Sequence, residues 1–188
     1  MQIANNFQQY GLISQVLHWS MAGLMLAMLA TGLYMTNMPN GALRDLVYMM
    51  HKTTGLTLLL LAVLRLVWTR HNPRPDIASS VTGWQRKVAR LVHKVLFFLI
   101  FAIPVTGIGM NFFRGAVLEF IVPLNSPSEP FLPLMYFFGA LHKFVFPVLL
   151  ATLVSIHIAG LLKHLWIDGD KLAIRRMFGS IDTNRGKE

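Results

Sequence analysis

Five histidines lie within or at the ends of strongly apolar stretches of this chain: His18, His51, His93, His142 and His157. An imidazole surrounded by hydrocarbon is costly without a partner, so such residues indicate a functional site. The chain contains no cysteine, which excludes iron–sulfur clusters held by thiolates and haem ligated by cysteine. The chemistry that remains is imidazole ligation of a metal ion or of haem iron inside a helical bundle.

The elements that hold these histidines are predicted to be membrane-spanning helices. The 188 residues are 54% hydrophobic and 13% charged, with a mean hydropathy of +0.53, whereas soluble proteins carry about 25% charged residues. A membrane-spanning helix needs about 20 mostly apolar residues. Four stretches meet this requirement: 12–34, 46–68, 92–112 and 134–162.

We therefore predict an all-α fold, a four-helix integral membrane bundle that forms one domain over residues 1–188. The expected elements are helices at about 11–36, 42–70, 84–112 and 133–165, and a basic C-terminal tail at 166–188. Within the tail we expect a short interfacial helix at 168–178. The apolar segment 116–122 of the third connection is expected to lie on the membrane surface.

The distribution of the 17 Lys and Arg residues predicts the orientation of the bundle. Seven lie between positions 65 and 94 and six lie between 163 and 187, whereas the first and third connections together hold four. By the positive-inside rule, both termini and the second connection face the cytoplasm. The net charge of +9 is then explained by topology and anionic lipid, so nucleic acid is not an expected partner. Residues 1–17 contain no Lys or Arg, which argues against a cleaved signal peptide.

The histidines of the first, second and fourth helices are spaced to form two pairs at different depths. His142 and His157 are 15 positions apart, which places them on nearly one face of a helix and about 22 Å apart along its axis. Counted from the helix ends, His51 matches the depth of His142 near the external side. His18 likewise matches His157 near the cytoplasmic side. This arrangement suits two ligand sites within a hydrocarbon core about 30 Å thick.

Two further histidines remain candidates on spacing alone. His93 lies at a cytoplasmic depth similar to that of His18, and His164 is a weaker candidate because it reaches the interface. Zinc needs three or four converging ligands, whereas each depth offers two, or three at most on the inner side. Two imidazoles complete a six-coordinate haem iron without further protein ligands, so haem is the favoured cofactor.

Haem propionates require cations, and three are suitably placed. Arg65 lies 14 residues after His51, near the same helix face and about 21 Å further in, which suits a propionate of an inner haem. Lys52 and Lys143 are adjacent to the outer histidines and suit an outer haem. The alternative is snorkelling of these side chains to the interface, which is favoured for the two lysines.

Each of the four predicted helices carries one or more short motifs. They are His18-Trp19, His51-Lys52-Thr53-Thr54-Gly55 with Arg65 and Arg70, His93-Lys94, Ile103-Pro104-Val105-Thr106-Gly107 with Arg114-Gly115, and His142 with His157. Their combination, over residues 7–170, resembles the bacterial cytochrome b561 family, the compact dihaem type with four membrane helices. That family is related to the b-type cytochrome subunits of nickel–iron hydrogenases.

The resemblance implies that two haems b per chain are bound by histidines of the first, second and fourth helices. The corresponding residues here are His18, His51, His142 and His157. The histidine of the third helix is not an axial ligand in the family. The resemblance therefore leaves His93 as a contact for quinone or for a propionate, or as a packing residue.

Haem held by two histidines has no open coordination position and is suited to electron transfer. We therefore expect a multi-pass protein of the bacterial inner membrane that moves electrons across it and exchanges them with the quinone pool. For some members the resemblance implies an oxidoreductase that oxidises superoxide outside and reduces ubiquinone. One alternative is a non-catalytic cytochrome subunit that serves a periplasmic redox protein. Another, without haem, is a channel or transporter that relays protons through its histidines.

Overall fold

The computed structural model describes residues 2–75, 82–115, 129–169 and 177. Its helices are α1 at Leu12–Met35, α2 at Ala42–His71, α3 at Gly83–Phe113, α4 at Leu132–Ala140, a π-helical turn at Leu141–Val145 (the π turn), and α5 at Phe146–Trp166. α4, the π turn and α5 form one continuous fourth span. Among the described residues, four helical spans are long and apolar enough to cross a membrane, which confirms the predicted all-α fold with four spans.

Other parts of the predicted organisation are not covered by these residues. The surface segment at 116–122 and most of the tail helix at 168–178 lie outside the described part of the chain. The cytoplasmic location of both termini stays a prediction, because the helices alone do not distinguish the two sides of a membrane.

The spans pack against one another in chain order. α1 packs against α2, α2 against α3, and α3 against α4, the π turn and α5. Large apolar side chains such as Leu33, Leu60, Phe98 and Val148 are exposed on the outer faces of the helices. This is the distribution expected for helices surrounded by lipid tails, because apolar side chains are stable there without protein contacts.

A small apolar core lies at mid-depth in the bundle. Met21, Leu58 and Ala62 are at most 5% exposed, and five partly buried side chains pack around them: Leu24, Met28, Leu61, Ile100 and Phe101. Leu58 is seven residues from both His51 and Arg65, or about 10 Å along α2 from each. Packed hydrocarbon therefore separates the outer from the inner set of histidines.

The segment before α1 folds back on the end of α2 through buried hydrogen bonds. The Asn5 amide oxygen accepts from the Gly11 N–H at 2.9 Å and from the Ser14 hydroxyl at 2.7 Å. The Asn5 amide nitrogen donates to the Pro73 carbonyl at 3.1 Å. The Trp68 indole N–H donates to the Ser14 hydroxyl at 2.9 Å. These bonds fix the start of α1 beside the end of α2, at the depth where His18 lies.

A proline explains the π turn of the fourth span. Pro147 has no N–H, so the carbonyl of Lys143, four residues earlier, has no helical donor. The bonding pattern shifts at this point, and the Phe146 N–H donates to the carbonyl of Leu141, five residues back. Single π turns within α-helices are frequent at functional sites. His142 lies within this one.

Candidate functional site

The outer level of the bundle brings together His51 of α2 and His142 of the π turn. Their ring centroids are 6.2 Å apart and the ring planes meet at 88°. Two imidazoles that hold one metal ion between them, at metal–nitrogen distances of about 2.0–2.1 Å, have centroids about 6.3 Å apart. The distance between these rings therefore fits a single iron atom bound by both.

A backbone carbonyl of α3 sets the tautomer of His142. Nδ1 of His142 lies 2.8 Å from the carbonyl oxygen of Ile103. A carbonyl oxygen only accepts hydrogen bonds, so Nδ1 carries the proton and Nε2 keeps a free lone pair. Metal-ligating histidines usually show this arrangement, because the second nitrogen is oriented by a hydrogen bond to the protein.

His51 has a weaker version of the same arrangement. Oγ1 of Thr31 lies 3.5 Å from Nδ1 of His51. The same hydroxyl is 2.9 Å from the carbonyl of Ala27 and 3.2 Å from that of Met28, so its proton is directed to its own helix. The long contact to His51 therefore favours donation from Nδ1, which leaves Nε2 of this ring free as well.

Two glycines provide the space for the outer rings. A β-carbon at Gly107 of α3 would lie 2.7 Å from Cε1 of His142, closer than real β-carbons approach. A β-carbon at Gly32 of α1 would lie 3.4 Å from Cε1 of His51. Sequence reasoning did not single out Gly32, because nothing in the spacing of α1 shows which of its faces meets the ring of His51.

The inner level holds His18 of α1, Arg65 of α2, His93 of α3 and His157 of α5. The rings of His93 and His157 are in edge contact, with centroids 4.9 Å apart and planes at 88°. This separation is too short for a metal ion between the rings. His18 lies close enough to both of these histidines to interact electrostatically. The pairing of His18 with His157 stays a prediction, since the ring in contact with His157 is that of His93.

Arg65 occupies one nitrogen of His18. Nη1 of Arg65 lies 3.1 Å from Nδ1 of His18. A guanidinium only donates, so Nδ1 accepts and the ring proton resides on Nε2. Iron ligation through Nε2 requires that proton to move and Arg65 to release the ring. The inner level is therefore not arranged for a metal in the way that the outer level is.

The remaining candidates are two lysines beside the outer histidines and one histidine near the end of α5. Lys52 and Lys143 are exposed beside the outer histidines. Nδ1 of His164 lies 2.8 Å from the Asp168 carboxylate, which also binds the Lys163 ammonium at 2.7 Å. Lys163, and after it His164, hold the pKa of Asp168 below its usual value. This ion cluster accounts for His164 without a ligand role.

Within the described ranges, no group of three or more His, Cys, Asp and Glu residues is placed to hold a metal ion. Among these residues a bare metal ion would find two imidazoles at the outer level, fewer than the three or four protein ligands that such an ion needs. A porphyrin supplies the four other nitrogens that iron needs. The donor set of the outer level fits haem.

Two comparisons with known proteins cover nearly the whole chain. A family model described as prokaryotic cytochrome b561 matches residues 9–180. The chain is also similar to cytochrome b561 homolog 2 of Escherichia coli (strain K12), with 30% identity over 194 aligned positions that cover 99% of this chain and 100% of that protein. Both matches include all four spans and therefore both histidine levels.

Proposed function

Because the chain belongs to the prokaryotic cytochrome b561 family, and is thus a multi-pass membrane protein for electron transfer with b-type haem, we propose that it is a dihaem electron carrier of the bacterial inner membrane. Electrons cross the membrane between an external donor and the quinone pool. The observation that carries the proposal is the outer pair, His51 and His142, whose ring centroids are 6.2 Å apart.

Haem b, when bound, supplies a reversible one-electron couple at iron. In this proposal His51 and His142 hold the outer haem, and His18 and His157 hold the inner one. Arg65, once it has released His18, pairs with a propionate of the inner haem. Exposed Lys52 and Lys143 pair with those of the outer haem.

The protein itself binds the haems, orients their ligands and separates the two haem sites by packed hydrocarbon. The Ile103 carbonyl orients His142 through the 2.8 Å bond to Nδ1. The apolar core of Met21, Leu58 and Ala62 excludes water between the two levels. A dry, low-dielectric separation keeps each redox centre in its own environment. With both imidazoles bound to it, the iron would have no position left for oxygen, so the chemistry that the haem would supply is electron transfer.

We place the quinone contact on the inner side, at His93. This side chain is exposed and touches the ring of His157. Nδ1 of His93 donates to the carbonyl of Ala89 at 2.6 Å, so Nε2 is free to accept a hydrogen bond from the hydroxyl of the quinol that forms there. His93 thus combines access from the bundle surface with contact to a proposed ligand.

The external donor that we propose is a small anion, and superoxide is the one that the family resemblance implies. Exposed cations lie on the outer half of the bundle: Lys52 and Lys143 are adjacent to the outer histidines, and Arg114 caps the end of α3. Their positive charge attracts an anionic donor toward the outer haem. Each superoxide gives up one electron and leaves as dioxygen, and two electrons with two protons convert a quinone to a quinol.

Optical spectroscopy of the purified, haem-loaded protein tests this function. The dithionite-reduced protein should show the α-band of b-type haem, and superoxide added to the oxidised protein should produce the same band. A soluble ubiquinone analogue should then remove it. No reduction by superoxide would favour a cytochrome subunit that serves a periplasmic redox protein. Absence of any α-band would overturn both interpretations.

A further inference from the structure

α3 contributes no ligand in the proposed function, yet one turn of it touches His142 at two points. The Ile103 carbonyl accepts the ring's Nδ1–H, and Gly107 lies directly against the ring. We propose that this turn, Ile103–Gly107, is the positioning element of the outer haem and sets the orientation and ligand strength of His142. The inference rests on the proposed function, since it concerns the outer haem.

The hydrogen bond fixes one end of the imidazole. The Ile103 oxygen belongs to a helix backbone and cannot rotate away as a side chain could. Pro104 follows directly, and a proline within a helix bends it and weakens the neighbouring helical bonds. The helical donor that this proline removes belongs to the carbonyl of Ile100, four residues earlier. The Ile103 oxygen has two lone pairs, so it can accept from His142 as well as within α3. A hydrogen bond to Nδ1 raises the basicity of Nε2 as a metal ligand.

The absence of a side chain at Gly107 leaves the space that the ring of His142 occupies beside α3. A β-carbon at this position would lie 2.7 Å from Cε1, 3.0 Å from Nδ1 and 3.3 Å from Nε2 of His142. All three ring atoms therefore crowd the same point of α3. Any side chain at position 107 pushes the ring away from α3 and strains the bond to Ile103. Orientation of the ligand depends on the absence of a single methyl group.

Thr106 competes with His142 for the same carbonyl. It is 5% exposed, and its hydroxyl lies 2.8 Å from the carbonyls of both Ala102 and Ile103. The Ile103 oxygen is therefore within reach of two side-chain donors, one from each helix, and the single Thr106 proton is shared between the Ala102 and Ile103 carbonyls. Removal of the hydroxyl leaves His142 as the side-chain donor to this oxygen, beside the backbone bond within α3. The bond to Nδ1 then strengthens, and His142 becomes a more electron-rich ligand.

The first experiment compares Gly107→Ala with Gly109→Ala in the full-length protein. A β-carbon at Gly109 would meet the Phe138 ring at 3.0–3.1 Å, so the control crowds the same pair of helices away from the ligand. Gly107→Ala should weaken outer haem binding about 10- to 100-fold, the usual cost of losing a group that orients a ligand. Gly109→Ala should retain both haems. Haem per chain and the EPR signal of the outer haem are measured.

The second experiment uses Thr106→Val, which keeps the side-chain volume and should keep full haem content. We expect the midpoint potential of the outer haem to fall while that of the inner haem stays constant. A purely structural role of Thr106 would not change one potential selectively. A spectroelectrochemical titration that resolves the two haems gives the readout.

The outcomes separate this inference from the proposed function. Loss of outer haem in both glycine variants, or in neither, overturns the positioning role, as does an unchanged potential in Thr106→Val. If His142→Ala retains all of the haem of the unsubstituted protein, the ligand assignment itself is wrong. Retention of the inner haem in Gly107→Ala shows that the variant has folded.

Discussion

The outer and inner histidine levels differ in how ready they are to hold iron. At the outer level, the rings of His51 and His142 are 6.2 Å apart, and their hydrogen bonds leave both Nε2 atoms free. At the inner level, Arg65 binds Nδ1 of His18, and the ring of His93 is in edge contact with His157. The same residue type at two depths of one bundle therefore has two degrees of preorganisation.

Ligand identity alone therefore does not make a metal or haem site. Preorganised groups bind more tightly because less of the binding free energy is spent on rearrangement. The outer level needs only the insertion of the porphyrin, whereas the inner level must first move a proton and an arginine. We therefore expect haem added to the apoprotein to fill the outer site before the inner site.

The largest expected effect follows removal of an outer ligand. His142→Ala, or His51→Ala, should lose the outer haem and keep the inner one, because the mid-depth core separates the two levels. Haem content per chain should fall to about half, as measured by the pyridine haemochrome assay. His164→Ala is the matched control on the fourth span, since His164 pairs with Asp168. Loss of both haems, or of neither, would show that the two levels are not independent sites.

A smaller effect is expected from Arg65→Met at the inner level. The substitution frees Nδ1 of His18 but removes the cation proposed for a propionate. A lost charge-assisted hydrogen bond costs about 1.5–3 kcal/mol, so inner haem affinity should fall about 10- to 100-fold. Haem titration followed by absorbance measures it. Arg70→Met, five residues later and exposed, is the control. Tighter inner binding in Arg65→Met would mean that this arginine only obstructs the site.

His93→Phe sharpens the inner assignment with a smaller change. Phenylalanine keeps an aromatic ring beside His157 but has no nitrogen for iron or quinol. Both haems should be retained, and the rate at which a soluble ubiquinone analogue oxidises the reduced haem should decrease. Stopped-flow absorbance at the α-band measures that rate. If the variant loses the inner haem, His93 rather than His18 is a ligand at this level.

The smallest effect concerns Asp168, outside both levels. Lys163 and His164 lower the pKa of this carboxyl, so the ionised form stabilises the folded chain at pH values above the ordinary pKa of 3.8. That contribution is lost as the pH falls through the lowered pKa. Wild type should therefore melt slightly above Asp168→Asn at neutral pH, and the difference should vanish in acid. Circular dichroism melts at several pH values test this, and a difference that grows in acid would contradict it.

The sequence was sufficient for the four spans because hydrocarbon thickness and helix rise set the length of an apolar stretch. Counting residues from the helix ends also placed His51 and His142 at one depth, and the structure sets their rings 6.2 Å apart. Depth counting cannot determine how each helix rotates about its axis. For that reason it matched His18 with His157, whereas the ring in contact with His157 in the structure is that of His93.

The hydrogen bond of His142 and the π turn at the outer level are harder to predict from the sequence. The hydrogen bond from His142 goes to a backbone carbonyl, which every residue possesses. No residue type in the sequence could therefore predict it. Pro147 was a visible signal for the π turn, since a proline removes a helical donor. It could not show that the altered turn would present His142 to α2.

The most direct test of the account is the haem stoichiometry of the intact protein, combined with EPR of the oxidised state. We expect two low-spin haems b per chain, neither of which binds carbon monoxide when reduced. The outer haem should give a strongly anisotropic signal, because its ligand planes meet at 88°. A colourless protein, or a haem that binds carbon monoxide and so has an open axial position, would contradict the account.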